Sequence, residues 1–368
     1  MSHECHIVQI EDMKGGCRCD HSPRAHKIGA GHLAEGIFII VAVVLLVFWR
    51  ETSAIKNLAI TFVAIVFEAL PFMLLGSFAG GLVEAYISRE RMTQVIPTGK
   101  RGVFIAAGLG FVFPICECAV VPIIRRLLGK GMSPSAAIAY LLAGPIANPI
   151  VLLSTATAYN FQWSPAFIRI ILGYVIAVST GLLLLRMFGA KLHSTMLRDN
   201  CSEDGKTPLC SCGEEHSCEM THELHRREGG TRLWEALAHG ASDFLDTGRF
   251  LIVGAFVAAT VQTVFSREML SVLADYPVIG IGSAMAMAVV LNLCSDADAF
   301  VAASFRSTWS FASQMAFMLL GPMLDIKLVF MYRSVFRSRF IMVLASTIIV
   351  LVFLAAFAIH NLFGDGWL

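Results

Sequence analysis

The chain has 368 residues, 56% of them hydrophobic and 15% charged, with a mean hydropathy of +0.70. A soluble domain carries about 25% charged residues, so this composition excludes a water-soluble globular protein and places most of the chain in a bilayer. The net charge of +1 sums polar arms with apolar spans and gives no sign of a nucleic-acid partner.

Residues 1–33 form a polar arm with His3, Cys5, His6, Cys17, Cys19 and His21. It lacks the apolar core of a signal peptide, so the N-terminus is expected to be cytoplasmic. A leading span is expected over 34–56. Crossing about 30 Å of hydrocarbon takes roughly 17–25 residues, and further apolar runs of that order lie near 57–87, 102–124, 134–157 and 166–188. A polar loop, 191–233, carries Cys201, Cys210, Cys212, His216, Cys218, His222 and His225, and apolar runs resume near 235–265, 278–305, 310–332 and 338–362. In a reducing compartment the thiols of arm and loop read as metal-capturing rather than disulfide-forming. Cys17, Cys19, Cys210 and Cys212 are the candidate ligands there, without the paired C-x-x-C spacing of a structural zinc site; a solvated tail with incidental cysteines is the plainer alternative. Residues 235–246, with His239, Asp243 and Asp246, read as an amphipathic lead-in to a span that begins near Phe250.

The two apolar blocks repeat one another. FEALPFMLLGSFAGGLV (67–83) lies over FLDTGRFLIVGAFVAATV (244–261), with Gly76 on Gly254 and Glu68 on Asp246. AYLLAGPIANPIV (139–151) lies over AFMLLGPMLDIKLV (316–329), with Asn148 on Asp325. The sequence thus predicts an all-α polytopic membrane protein: a leading span, repeat 1 over 57–190, the cytosolic loop, and repeat 2 over 234–368, with about nine spans and two broken or re-entrant helices. Loop 88–101 carries Arg89, Arg91, Lys100 and Arg101 where its counterpart 266–277 has Arg267. Loop 158–165 has no basic residue where 331–339 has Arg333, Arg337 and Arg339. Short basic loops stay cytoplasmic, so corresponding loops are expected on opposite sides, which makes the repeat an inverted one of the transporter kind.

Two repeat-matched motifs carry the chemistry. FVFPICECAVVPII (111–124) sets Cys116, Glu117 and Cys118 between Pro114 and Pro122. Proline breaks helix, and irregular backbone is tolerated at membrane depth only where protein or a watery cavity surrounds it. A carboxylate there points to an ion or proton site, and thiols favour soft metals or metalloids. The matched stretch NLCSDADAFVAASF (292–305) supplies Cys294, Asp296 and Asp298. Small apolar filling by the cysteines, or a helix end protruding into water, is the plainer reading of each. The sequence nominates Cys116, Cys118, Cys294 and Asp296 as metal ligands. The Gly-Pro breaks add Asn148 and Asp325, and the repeat adds Glu68 and Asp246 as further substrate-binding candidates. Lys327 either pairs with an acid in the core or snorkels.

The strings F-P-x-C-x-C-A-V-V-P, GPIANP and C-S-D-A-D-A-F-V-A-A-S-F together resemble the predicted permease family of the YraQ and ArsP kind, over most of residues 57–362. The resemblance implies a bacterial inner-membrane permease. Its characterised branch exports trivalent organoarsenicals through thiols of the first motif, a role that would fall on Cys116 and Cys118. That branch has serine between the cysteines where this chain has Glu117, which tilts the expected substrate towards a cationic metal or metal complex. The expected function is permeation, in the export direction, of a soft metal ion, metalloid or its thiol complex, with no enzymatic activity and no cofactor beyond a bound soft metal ion. The expected partners are the lipid bilayer and a small inorganic or organometallic substrate; a homo-oligomer or an accessory subunit fits the same picture. A membrane thiol oxidoreductase using Cys116 and Cys118 is the alternative, disfavoured by their C-x-C spacing.

Overall fold

The computed structural model describes residues 53–86, 96–113, 115–188, 232–264, 277–306 and 308–363, all within the unit Leu46–Leu368. The N-terminal arm, the leading span up to residue 52, Pro114 and the central loop from 191 to 231 lie outside the described residues. The candidate ligands Cys17, Cys19, Cys210 and Cys212 fall there too.

The described residues form twelve helices and no sheet: α1 (Ser53–Tyr86), α2 (Lys100–Val112), α3 (Glu117–Gly129), α4 (Pro134–Ala143), α5 (Pro149–Ala158), α6 (Trp163–Phe188), α7 (Arg232–Val264), α8 (Pro277–Leu291), α9 (Ser295–Ser304), α10 (Phe311–Leu320), α11 (Ile326–Tyr332) and α12 (Ser338–Phe363). Their order repeats after six: long, four short, long, twice. The local reasons for the breaks repeat as well. Cys116 and Cys294 are the N-caps of α3 and α9 with nearly the same backbone, φ −73° and ψ 165° against φ −73° and ψ 157°. Gly144 and Gly321 end α4 and α10, and each is followed by a proline that cannot continue the hydrogen-bond ladder. Asn148 and Asp325 then restart the chain as N-caps of α5 and α11, each accepting the backbone N–H three residues on.

Four of the spans expected from hydropathy are therefore pairs of short helices. A ten-residue helix is only about 15 Å long, about half the hydrocarbon thickness. Among the described residues, the helices long and apolar enough to cross alone are those containing Lys56–Leu82, Trp163–Met187, Gly240–Thr263 and Ser338–Leu362. Residues 240–246, expected as part of a lead-in, lie within α7, which runs unbroken from Arg232 to Val264, and there Asp243 and Asp246 are met by arginines of α3.

Large apolar side chains face outward on the long helices: Phe67 is 72% exposed, Leu75 65% and Leu354 55%. Contiguous exposed apolar surface of this kind would aggregate in water and belongs in lipid. The short helices α4 and α10 are the opposite case. Ser135–Ala143 and Phe311–Leu320 are buried on every side, as expected of helices apolar all round that sit inside a bundle.

Within the first half α2, α4 and α6 pack on one another, and in the second half α8, α10 and α12 do the same. The halves meet through α1 against α7, α5 against α9 and α11 against α3. The motif-bearing helices α3 and α9 thus each touch a cap-bearing short helix of the other half. Gly76 on α1 lets α3 come close: a methyl group there would lie 2.5 Å from the Ala119 carbonyl oxygen and 2.6 Å from its Cα.

Candidate functional site at the helix breaks

Pro122 cannot donate to the carbonyl of Cys118, so the first turn of α3 is loosened where the motif begins. Cys116 is half-exposed, whereas Glu117 and Cys118 are buried, at 2% and 3% exposure. Across the interface, Lys327 on α11 is also buried and sets its Nζ 3.5 Å from Glu117 Oε1 and 3.7 Å from Asp325 Oδ2. A buried carboxylate or ammonium costs several kcal/mol unless it is paired, so this contact explains how all three tolerate burial. Lys327 therefore pairs with acids in the core and does not snorkel. Cys118 also lies within electrostatic reach of Lys327, Glu117 and Asp325.

Asn292 links the second motif to the same cluster. It adopts φ +48°, a left-handed conformation that asparagine tolerates better than most residues. Its Oδ1 accepts the backbone N–H of Lys327 at 2.9 Å, while its Nδ2 donates to the Val290 carbonyl at 2.8 Å. One side chain thereby joins the end of α8 to the start of α11.

The second motif has its own counter-ion. Arg169 of α6 is fully buried, donates from NH2 to the Ser295 carbonyl at 2.8 Å and from NH1 to Thr155 Oγ1 at 2.9 Å, and is within electrostatic reach of Asp298, Asp296 and Cys294. Asp298 is buried against Gly321, where a methyl group would meet Asp298 Oδ2 at 2.5 Å. Asp298 Oδ2, Asp296 Oδ1, Glu117 Oε2 and Arg169 Nε have no hydrogen-bond partner among the described residues, which leaves donors and acceptors at the centre for water or substrate. Cys294 is half-exposed, and Glu68 on α1 is within electrostatic reach of both Cys294 and Lys327.

Of the residues nominated from sequence, Glu117 and Asp325 meet at Lys327, with Cys116 and Cys118 beside Glu117 in the chain; Cys294, Asp296 and Asp298 lie at the turn that Arg169 grips, and Glu68 is within electrostatic reach of Cys294 and Lys327. Asn148 caps α5 by accepting from Val151 N at 2.9 Å, with its Nδ2 donating to the Gly144 carbonyl; it is the uncharged counterpart of Asp325. Asp246 accepts from Arg125 at 3.1 Å, and the neighbouring Asp243, at 1% exposure, pairs with Arg126. These pairs tie α3 to α7 and use Asp246 as a counter-ion. Among the described residues no group of three or more His, Cys, Asp or Glu side chains converges as a metal site would require.

Sequence reasoning passed over Arg169, Thr155, Arg125 and Arg126. The signal was present for Arg169: an arginine inside the apolar run 166–188 has to be satisfied by protein or by a watery cavity.

An all-helical chain with lipid-facing long helices and a charged centre of broken helices is a polytopic membrane protein of the permease kind. The family model ArsP_1, described as predicted permease, matches residues 54–361, and the chain belongs to that family. It is 34% identical over 297 residues to a Streptococcus mutans serotype c protein named "Putative two-component membrane permease complex subunit", covering 80% of this chain and 92% of that one. It is 35% identical over 301 residues to the UPF0718 protein YcgR of Bacillus subtilis, covering 82% of this chain and 96% of the relative. No solved structure matches the chain.

Proposed function

We propose that this permease moves a thiophilic solute, a soft metal ion, metalloid or its thiol complex, through a centre built from the two repeat-matched motifs. The observation that carries this reading is the pair Cys116 and Cys294: two half-exposed thiols capping repeat-matched half-helices with the same backbone geometry. Sulfur ligands select soft partners. Glu117 gives Oε1 to Lys327, so only Oε2 is left to face a solute. Together with the lack of a convergent ligand set among the described residues, this favours a species held by one or two thiols, such as a metalloid hydroxide or thiol adduct, over a hydrated divalent ion.

The halves are read as inverted, with loop 88–101 and the central loop cytoplasmic, because the basic residues alternate between matched loops. The N-terminus is placed in the cytoplasm and the protein in the inner membrane, with export as the direction, since the Cys- and His-rich arm and loop would then collect solute on the side from which it leaves. An accessory subunit is part of the same reading, in line with the printed name of the streptococcal relative.

The test is transport into inside-out vesicles of methylarsenite, arsenite, cadmium and copper(I), with the intact chain, with Cys116→Ser/Cys118→Ser and with Cys294→Ser. Uptake of at least one probe that both variants abolish supports the reading. No uptake of any probe, together with unchanged resistance to all four in cells lacking or overproducing the protein, sinks it.

A further inference from the structure

Arg169 has the features of a group that sets the position of something else. It is an arginine with 0% exposure in a long membrane helix, and its two hydrogen bonds go to different elements: Thr155 on α5 of its own half, and the backbone carbonyl of Ser295 in the other half. Ser295 directly follows Cys294, so the guanidinium grips the first turn of α9 one residue from the thiol. The same turn carries Asp296 and Asp298, both within the electrostatic reach of Arg169. A bidentate guanidinium is planar and geometrically fixed, so two bonds on two elements define a distance between α5 and α9, which also pack on one another. The first motif is held differently, through Lys327 and Glu117.

We propose that Arg169 is a positioning residue of the transport centre, holding the start of α9, and with it the Cys294 thiol, in register against the first half. Its effect passes through the Ser295 carbonyl; the guanidinium does not itself need to touch the solute. The consequence for transport rests on the reading of Cys294 as a substrate thiol, whereas the positioning does not.

The test is the rate at which each cysteine of the full chain reacts with N-ethylmaleimide in detergent, resolved by peptide mass spectrometry. Arg169→Met is expected to speed labelling of Cys294 by about tenfold, the scale on which loss of a supporting outer contact disturbs a ligand, while Cys116 stays within about twofold of the wild-type rate. Arg169→Lys, which keeps the charge and loses the fork, is expected to fall between. General destabilisation would accelerate both thiols alike; that outcome, or no change at Cys294, overturns the proposal. Should Arg169→Met not fold, Arg169→Gln/Asp298→Asn removes the charge imbalance with the grip. Selective acceleration at Cys294 in that pair supports the proposal, and wild-type labelling overturns it. Because labelling needs no solute, failure of the thiophilic transport reading leaves this measurement standing.

Discussion

Asn148 and Asp325 occupy matched breaks, have nearly the same backbone and cap their helices with the same bond, yet their surroundings differ in kind. Asn148 turns its amide back on its own chain, and two residues on, Ile150 is 56% exposed. Asp325 shares a buried ammonium with Glu117 of the other half, and the residue matched to Ile150 is that same Lys327. Backbone breaks and charge were thus separable: the breaks depend on Gly-Pro and a short capping side chain, which both halves retain, while the ion pair needs a particular residue on each side of the interface and exists once. A repeat can keep its backbone breaks while the charges placed at them differ between the copies.

The most direct way to break this comparison is Lys327→Met. It strands two carboxylates in a buried site and is expected to cost about 3–5 kcal/mol, read as a large fall in thermal midpoint in detergent, with part regained in Lys327→Met/Glu117→Gln. Ile150→Met at the matched site should change almost nothing, and equal losses at the two sites would refute the asymmetry. Asp243→Asn is expected to cost about 2–3 kcal/mol in the same assay, less than Lys327→Met because Arg125 and Arg126 retain some solvent. Gly76→Ala forces a methyl group against Ala119 and is expected to cost about 1–3 kcal/mol. Gly254→Ala, whose nearest contacts lie at 3.0–3.1 Å on Phe330 and Lys327, should cost less, and the reverse order would show that α11 rather than α3 is the tighter fit. Smallest is Asn148→Ala, at about 1 kcal/mol for a lost N-cap, with Asp325→Ala expected to exceed it because Lys327 loses a counter-ion as well.

Much of the frame was legible in the sequence. The two motifs, the matched glycines and the Asn148–Asp325 pair were found by laying one half of the chain over the other, because caps and Gly-Pro breaks are local and leave local marks. Lys327 could be flagged but not placed. Whether it meets Glu117 depends on α11 crossing α3, a contact between residues far apart in the chain that no periodicity encodes. For the same reason the match of Asp246 to Glu68 gave no sign that Arg125 of α3 meets it. The partners of Asp243 and Asp246 were out of reach in the same way, since Arg125 and Arg126 lie far away in the chain.

The exchange of cations between halves has a consequence for how the molecule comes to exist. Lys327 serves Glu117 across the interface, and Arg169 serves the start of α9 in return; neither motif has its neutralising partner in its own copy. A chain severed within 191–233 would give two pieces that each hold an unanswered buried charge and that answer one another on meeting. Newly made first halves would therefore have to wait, with Glu117 uncompensated, until the last third of the chain arrived, which makes the order of synthesis part of how this centre is assembled.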